Sequence, residues 1–343
     1  MSSAAQASSD IKHPSPLDQV DADSGALRAL ALPMEETPAR RGFVSACRAF
    51  LLDTVAIFKL RVTALVVMTA WAGYYLGAMQ SGIGSFNTTL WNTLLGVALV
   101  SCGASVLNQV FERRTDAKML RTAQRPLAAG RLGIGYGVLI GMATIVSGSL
   151  WLMVYTNPIT GTLTLLTAVM YVGIYTPLKR YTTLATFVGA FPGAMPPLIG
   201  WTAARGSIEW PAVALFAILF VWQFPHFMAI AWLYRDDYRR AGIRMLPVVQ
   251  PDGWSTAIEA LAYAVLMIPV SLVPYYLHIA GRTYWVAALL LGAVYLAYTI
   301  RFSRITRCSA SESRRYARAL LKVSVIYLPL LLALLMVDAT RRG

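Results

Sequence analysis

The sequence predicts an all-α, polytopic membrane protein: a bundle of nine transmembrane helices, N-terminus inside and C-terminus outside. Composition comes first, because 57% of the 343 residues are hydrophobic and only 13% are charged, where soluble domains carry about 25% charged residues. Mean hydropathy is +0.56. From about residue 50 onward, apolar runs recur that approach the ~20 residues needed to cross a ~30 Å hydrocarbon core. Finally, the cations are distributed unevenly among the segments between these runs.

The nine spans are placed near 62–79, 88–110, 132–154, 160–177, 183–200, 210–233, 256–276, 283–300 and 320–338. The third and fourth are separated by a short turn containing Asn157 and Pro158, a helix-breaking signal. The fifth contains Pro192, Pro196 and Pro197, which a membrane helix tolerates when its neighbours satisfy the freed carbonyls. With the N-terminus inside, the inside segments hold 26 Lys and Arg residues and the outside segments hold four, Arg205, Arg282, Arg341 and Arg342. That asymmetry fixes the orientation. It also explains the net charge of +14 without nucleic acid.

Residues 1–49 are expected to form a disordered cytoplasmic tail, rich in Ser, Ala, Asp and Pro over the first 42 or so. Residues 50–343 form the membrane domain. No basic region followed by an apolar run and a small-residue cleavage site opens the chain, so no signal peptide is expected. Cys47, Cys102 and Cys308 have no metal-ligand spacing and read as three reduced thiols.

Two inside loops carry acids as well as bases. In the first, Asn108, Glu112 and Asp116 are spaced i, i+4, i+8, one face of a helix over successive turns. A column of oxygen-bearing side chains suits a hard cation such as Mg²⁺, which is held by one or two carboxylates plus substrate phosphates. Lys118, Arg121 and Arg125 follow, and Arg offers a fork that matches phosphate oxygens. The bland alternative is a charged cytoplasmic loop with capping acids and solvated bases. The depth of Asn108, near the membrane end of its span, weighs against it.

The second loop offers the same ingredients: Asp236 and Asp237, followed by Arg239, Arg240 and Arg244. Its position on the same face lets the two loops converge over one cavity. Lys179 and Arg180 form a smaller basic piece after the fourth span, with Tyr175 one turn before Lys179. His226 lies about ten residues before the acids, roughly 15 Å deeper along a helix. It reads either as a contact to a lipophilic substrate, with Gln223 sharing its face, or as a neutral histidine bonded to a neighbouring helix. Tyr175 and Trp222 are candidates for cation–π contact, against simple packing.

Residues 108–127 match throughout the pattern N-x-x-x-[DE]-x-x-x-D-x-x-M-x-R-T-x-x-R-P-L. In this the chain resembles the UbiA intramembrane prenyltransferase superfamily, and within it the branch that farnesylates haem. The Trp222-Gln-Phe-Pro-His226-Phe stretch, the later Asp237-Tyr238 and Ala241-Gly242 pairs, and Tyr175-Thr-Pro-Leu-Lys179-Arg180 resemble the same branch. The likeness spans roughly residues 50–340. Most of the superfamily has Asp where this chain has Glu112, and Glu occurs there in part of the haem branch. Asp236 and Asp237 are adjacent rather than spaced, which leaves open which one reaches metal; Asp237 is favoured.

The resemblance implies a helical bundle whose central cavity opens to the inner face and sideways to lipid. It implies Mg²⁺-dependent transfer of farnesyl from farnesyl diphosphate to a vinyl group of haem b, giving haem O for terminal oxidases. Asn108, Glu112, Asp116 and Asp237 would form the catalytic metal set, with Asp236 a further ligand candidate. Lys118, Arg121, Arg125, Lys179, Arg180 and Arg239 would neutralise diphosphate. His226, Gln223, Trp222 and Tyr175 would touch haem or the prenyl chain. Haem A synthase or oxidase assembly are candidate partners, and a bacterial inner membrane, with the active site cytoplasmic, is the expected location. Competing readings are an aromatic prenyl acceptor, a transporter of an anionic solute, and a non-catalytic assembly factor.

Overall fold

The computed structural model describes residues 42–340. It divides the chain into two compact units, Met1–Ala49 and Phe50–Gly343. Of the tail expected over 1–49, residues 1–41 lie outside the described residues. Its last stretch belongs to a helix, α1 (Phe43–Ile57).

Nine long helices follow, one at each span read from the sequence. They are α2 (Leu60–Gln80), α3 (Thr88–Asp116), α4 (Ile134–Tyr155), α5 (Pro158–Leu178), α6 (Ala185–Arg205), α7 (Trp210–Leu233), α10 (Trp254–Tyr276), α11 (Arg282–Ser303) and α12 (Ala310–Thr340). Two short helices, α8 (Arg235–Ala241) and α9 (Leu246–Val249), fill the loop after α7. The described residues contain no strand. Eight of the nine are long and apolar enough to cross a membrane; α6 is long enough but is not among those eight. The protein is thus a multi-pass, all-helical membrane protein.

The ends follow from local chemistry. The Asn87 side chain accepts from the Leu90 N–H at 2.9 Å to start α3. Asn157 does the same for Thr160, with Pro158 at the first turn of α5, the two devices that suit a helix start. Gly206, at φ 71°, ends α6 in the left-handed conformation that costs glycine least.

Lipid tails are as apolar as leucine, so close packing rather than water exclusion must hold these helices together. Small residues make that packing possible. A Cβ on Gly103 would stand 2.6 Å from the Gly141 carbonyl oxygen, and one on Gly148 would stand 2.9 Å from the Gly96 oxygen. The α3–α4 seam therefore runs along glycines. The largest apolar core lies among α6, α7, α10, α11 and α12, around Trp201, Leu215, Tyr284, Tyr295 and Phe302. Leu139, Val154, Leu166, Leu290 and Ile326 are exposed, as lipid-facing side chains are.

Candidate active site

The site is built on one stripe of α3. Asn108, Glu112 and Asp116 share that face, as their spacing requires, and all three are buried, Asn108 and Asp116 to 1% exposure. They line a cavity of about 160 Å³ together with Lys59, Arg121, Arg125, Tyr171, Tyr175, Lys179 and Tyr238.

Each residue of the column meets one cation through a side-chain oxygen. Lys59 Nζ donates to Asn108 Oδ1 at 3.2 Å. Lys179 Nζ donates to Glu112 Oε1 at 2.9 Å. Arg125 donates to Asp116 Oδ2 at 2.7 Å. Asn108 is oriented through its amide, which donates to Thr176 Oγ1 at 3.1 Å. The second oxygen of Asp116, Oδ1, is buried and has no hydrogen-bond partner. A buried carboxylate oxygen without a partner is costly and marks a seat for a donor or a cation.

The electrostatics are those of a charged pocket in a poorly hydrated place. Burial, aided by the Arg125 charge, lowers the Lys59 pKa to about 7 against the opposing pull of Glu112. Burial also works against the Lys179 ammonium, but Tyr175 and Glu112 outweigh it and hold its pKa above the usual lysine value. Lys59 occupies the left-handed region, φ 49° and ψ 50°, just before α2. That conformation is uncommon for a side-chain-bearing residue, and it turns the chain so that α2 departs beneath the site.

The floor of the polar cavity comes from a widened turn in α5. Residues Met170–Tyr175 are π-helical, a local bulge often found at functional sites. Tyr171 and Tyr175 lie there with ring centroids 5.5 Å apart, and Lys179 Nζ sits 4.2 Å over the Tyr175 ring. Both tyrosines also line a second chamber of about 330 Å³, walled by Val66, Val97, Val100, Ala104, Thr164 and Ile199 among others. Residues 97, 101, 104 and 108 of α3 lie on one stripe, so one face of one helix is apolar in depth and acidic at its end.

Not every candidate converges. Asp236 and Asp237 do not line the polar cavity, contrary to the expectation that both acidic loops would. They line a neighbouring cavity of about 430 Å³ with Arg240, Arg314 and Arg318. Asp237 pairs with Arg240, and Asp236 with Arg239 and Arg314. The second loop reaches the polar cavity through Tyr238, Ile243 and Met245 instead. The short α8 is the reason: with acids in its first turn and bases in its last, it satisfies its own charges three residues apart and turns only Tyr238 inward. The Arg244 N–H donates to the Lys179 carbonyl at 3.0 Å and ties this loop to the site.

Lys118 is exposed, and Arg180 donates to the Phe111 carbonyl at 3.2 Å; neither lines the cavity. Arg121 lines it and stacks 4.7 Å from the Tyr234 ring. Gln223 lines the apolar chamber, its amide donating to the Ala190 and Leu219 carbonyls. His226 and Trp222 face α12: His226 Nδ1 is 2.8 Å from Ser324 Oγ, and Trp222 Nε1 donates to the Ser324 carbonyl at 2.9 Å. Both are hydrogen-bonded to α12 while Gln223 lines the chamber, so the expected shared face of His226 and Gln223 is not seen. Three polar lining residues were not among the candidates: Lys59, Tyr171 and Tyr238. The signal for Lys59 was a lone lysine between two apolar runs, and that for Tyr238 its place in the Asp237-Tyr238 pair; nothing in the pattern marked Tyr171.

Residues 65–326 match the model of the UbiA prenyltransferase family. The chain is 50% identical over 293 residues to the protoheme IX farnesyltransferase of Koribacter versatilis, covering 85% of this chain and 94% of that one. It is 43% identical over 294 residues to the protoheme IX farnesyltransferase of Solibacter usitatus, covering 83% and 98%. Among solved structures, a digeranylgeranylglyceryl phosphate synthase superposes with TM-score 0.69 at 16% identity, over 85% of this chain and 99% of that one. A UbiA homologue from Archaeoglobus fulgidus bound to DMAPP and Mg²⁺ superposes with TM-score 0.56 at 16% identity, over 82% and 98%.

Proposed function

This chain belongs to the UbiA prenyltransferase family, and on that premise we propose that it transfers the farnesyl group of farnesyl diphosphate to a vinyl group of haem b, giving haem O and diphosphate. One observation carries the reading. A buried column of oxygen-bearing side chains, ringed by cations, adjoins an apolar chamber, and Tyr171 and Tyr175 line both. A prenyl diphosphate has that same polarity, a doubly anionic head on a hydrocarbon tail. The names of the Koribacter and Solibacter relatives support the acceptor.

The donor set fits Mg²⁺. Among the described residues no three His, Cys, Asp or Glu side chains form a closed cage. An ion held by Asn108, Glu112 and the unpartnered Asp116 Oδ1 would complete its shell with diphosphate oxygens, as Mg²⁺ commonly does. Bound there, Mg²⁺ neutralises charge on the departing diphosphate.

The residues do the rest. Lys59, Lys179 and Arg125, which pair with the column, are placed to exchange those contacts for diphosphate oxygens. Arg121 adds a fourth cation at the rim. As the C1–O bond breaks, its electron pair leaves with diphosphate, and preorganised cations stabilise that charge more in the transition state than in the ground state. The allylic carbon lies at the level of Tyr171 and Tyr175, whose rings face cationic character and separate it from the polar mouth. The vinyl π-pair of haem forms the new C–C bond. Water captures the resulting haem-side cation and loses a proton to become the hydroxyl.

We read the column as lying at the cytoplasmic face of a bacterial inner membrane, with the N-terminus inside; the gathering of Lys and Arg in the segments on that side supports this. The haem O product passes to a terminal oxidase directly or through haem A synthase.

The test uses the purified chain in detergent with haem b, farnesyl diphosphate and Mg²⁺, read by mass. Haem carrying a hydroxyethylfarnesyl group, lost on adding EDTA, is the expected result. Consumption of farnesyl diphosphate with an aromatic acceptor but not haem would overturn the acceptor assignment.

A further inference from the structure

We infer that Val97, Thr164 and Ile199 form a floor that limits the donor to three isoprene units. The inference rests on the proposed donor and deepens it by naming what sets its chain length.

The floor is read from three helices independently. Val97 lies eleven positions before Asn108 on α3, Thr164 eleven before Tyr175 on α5, and Ile199 ten after Gly189, which underlies the Tyr175 ring on α6. At about 1.5 Å per residue, each places its residue about 15–17 Å below the polar cavity. Each is also the deepest residue its helix contributes to the chamber wall, and all three are buried. The twelve chain carbons of a farnesyl group, joined by ~1.5 Å bonds in a zigzag, reach about 15 Å.

Beneath that level there is no room. A Cβ on Gly200 would stand 1.9 Å from the Ala70 carbonyl oxygen, and one on Gly73 would stand 1.9 Å from the Pro197 oxygen. Helices α2 and α6 therefore touch backbone to backbone on both sides of Ile199, at the level of the floor. Val97 and Ile199 join Ala70 and Leu152 in a buried cluster that plugs the space between them and α4. A close-packed plug of this kind does not yield to an extra isoprene unit without strain.

Sterics must decide, because hydrophobicity cannot. The donor arrives from lipid, which solvates a longer tail as well as the chamber does. A longer chain gains nothing from the protein and loses wherever it meets the floor.

The experiment sets geranyl, farnesyl and geranylgeranyl diphosphates in competition, reading haem products by mass and donor binding in the absence of haem. The wild type should prefer the C15 donor. Val97→Ala combined with Ile199→Ala should raise the C20 to C15 ratio of kcat/KM about tenfold or more, the scale of pocket discrimination between hydrocarbon substrates. Val97→Phe, which fills instead of hollowing, should shift preference toward C10, so the test survives if the double variant does not fold. Leu166→Ala, on the lipid-exposed side of α5, should leave the ratio alone. Equal use of C20 and C15 by the wild type, or an unchanged ratio in both the hollowed and the filled variant, overturns the floor. A shifted binding ladder with no farnesylated haem would keep the floor and overturn the haem reading.

Discussion

The two acidic regions of this protein have nearly the same composition and quite different surroundings. Asn108, Glu112 and Asp116 are buried, and their cations, Lys59, Lys179 and Arg125, come from three different segments. Asp236 is half exposed and Asp237 is buried beside the adjoining cavity; Asp237 pairs with Arg240 and Asp236 with Arg239, each three residues along the same short helix, and Asp236 also with Arg314 of α12. Local i, i+3 pairs with exposed arginines form on almost any charged helix and are worth little. Bringing Lys59 and Lys179 from distant segments to join Arg125 on one buried column incurs desolvation that a strongly charged ligand repays. The difference teaches that an acid-plus-base motif reads as a site where a whole column of acids is buried and most of its bases come from beyond its own helix and loop.

Substitutions sharpen that contrast. The largest effect is expected at Asp116→Asn, which keeps the shape and removes the charge beside the unpartnered oxygen; kcat should fall about 10²–10³-fold, with the folded fraction checked by size-exclusion profile. Lys179→Met removes a cation that faces both Glu112 and Tyr175, and kcat/KM for farnesyl diphosphate should fall about 100-fold. Asp237→Asn should cost only about tenfold, the scale of a group that positions others, through loosening of α8 and Tyr238. Asp236→Asn, an exposed pair, should leave steady-state turnover within about twofold. Equal losses at Asp116 and Asp236 would erase the distinction. A stability change probes the other end of the stripe: Gly200→Val drives a side chain into the Ala70 carbonyl, and the thermal midpoint should fall by an amount corresponding to about 1–3 kcal/mol.

Much of this was readable in the chain. Long apolar runs placed every long helix among the described residues, eight of them apolar enough to cross a membrane, because a span must satisfy its own backbone and so announces itself by length. The i, i+4, i+8 column was readable because helical spacing is local. What stayed hidden depends on neighbours. Lys59 meets Asn108 across 49 positions. Tyr171 faces the site only because α5 widens over Met170–Tyr175. The side of α7 that carries His226 could not be told from the side that carries Gln223, since a helix apolar all round has no face to read. For the same reason the pairing of His226 with Ser324 could not be read from the sequence.

The most direct test compares Mg²⁺-dependent haem farnesylation by Asp116→Asn and Asp236→Asn, purified and assayed side by side across a Mg²⁺ titration. The account predicts near wild-type rates and Mg²⁺ response for Asp236→Asn, and a Asp116→Asn protein that stays folded yet is slowed at least about 100-fold even at saturating Mg²⁺. The opposite ranking, or full activity in Asp116→Asn, would contradict the claim that the buried stripe of α3 is where the diphosphate is held.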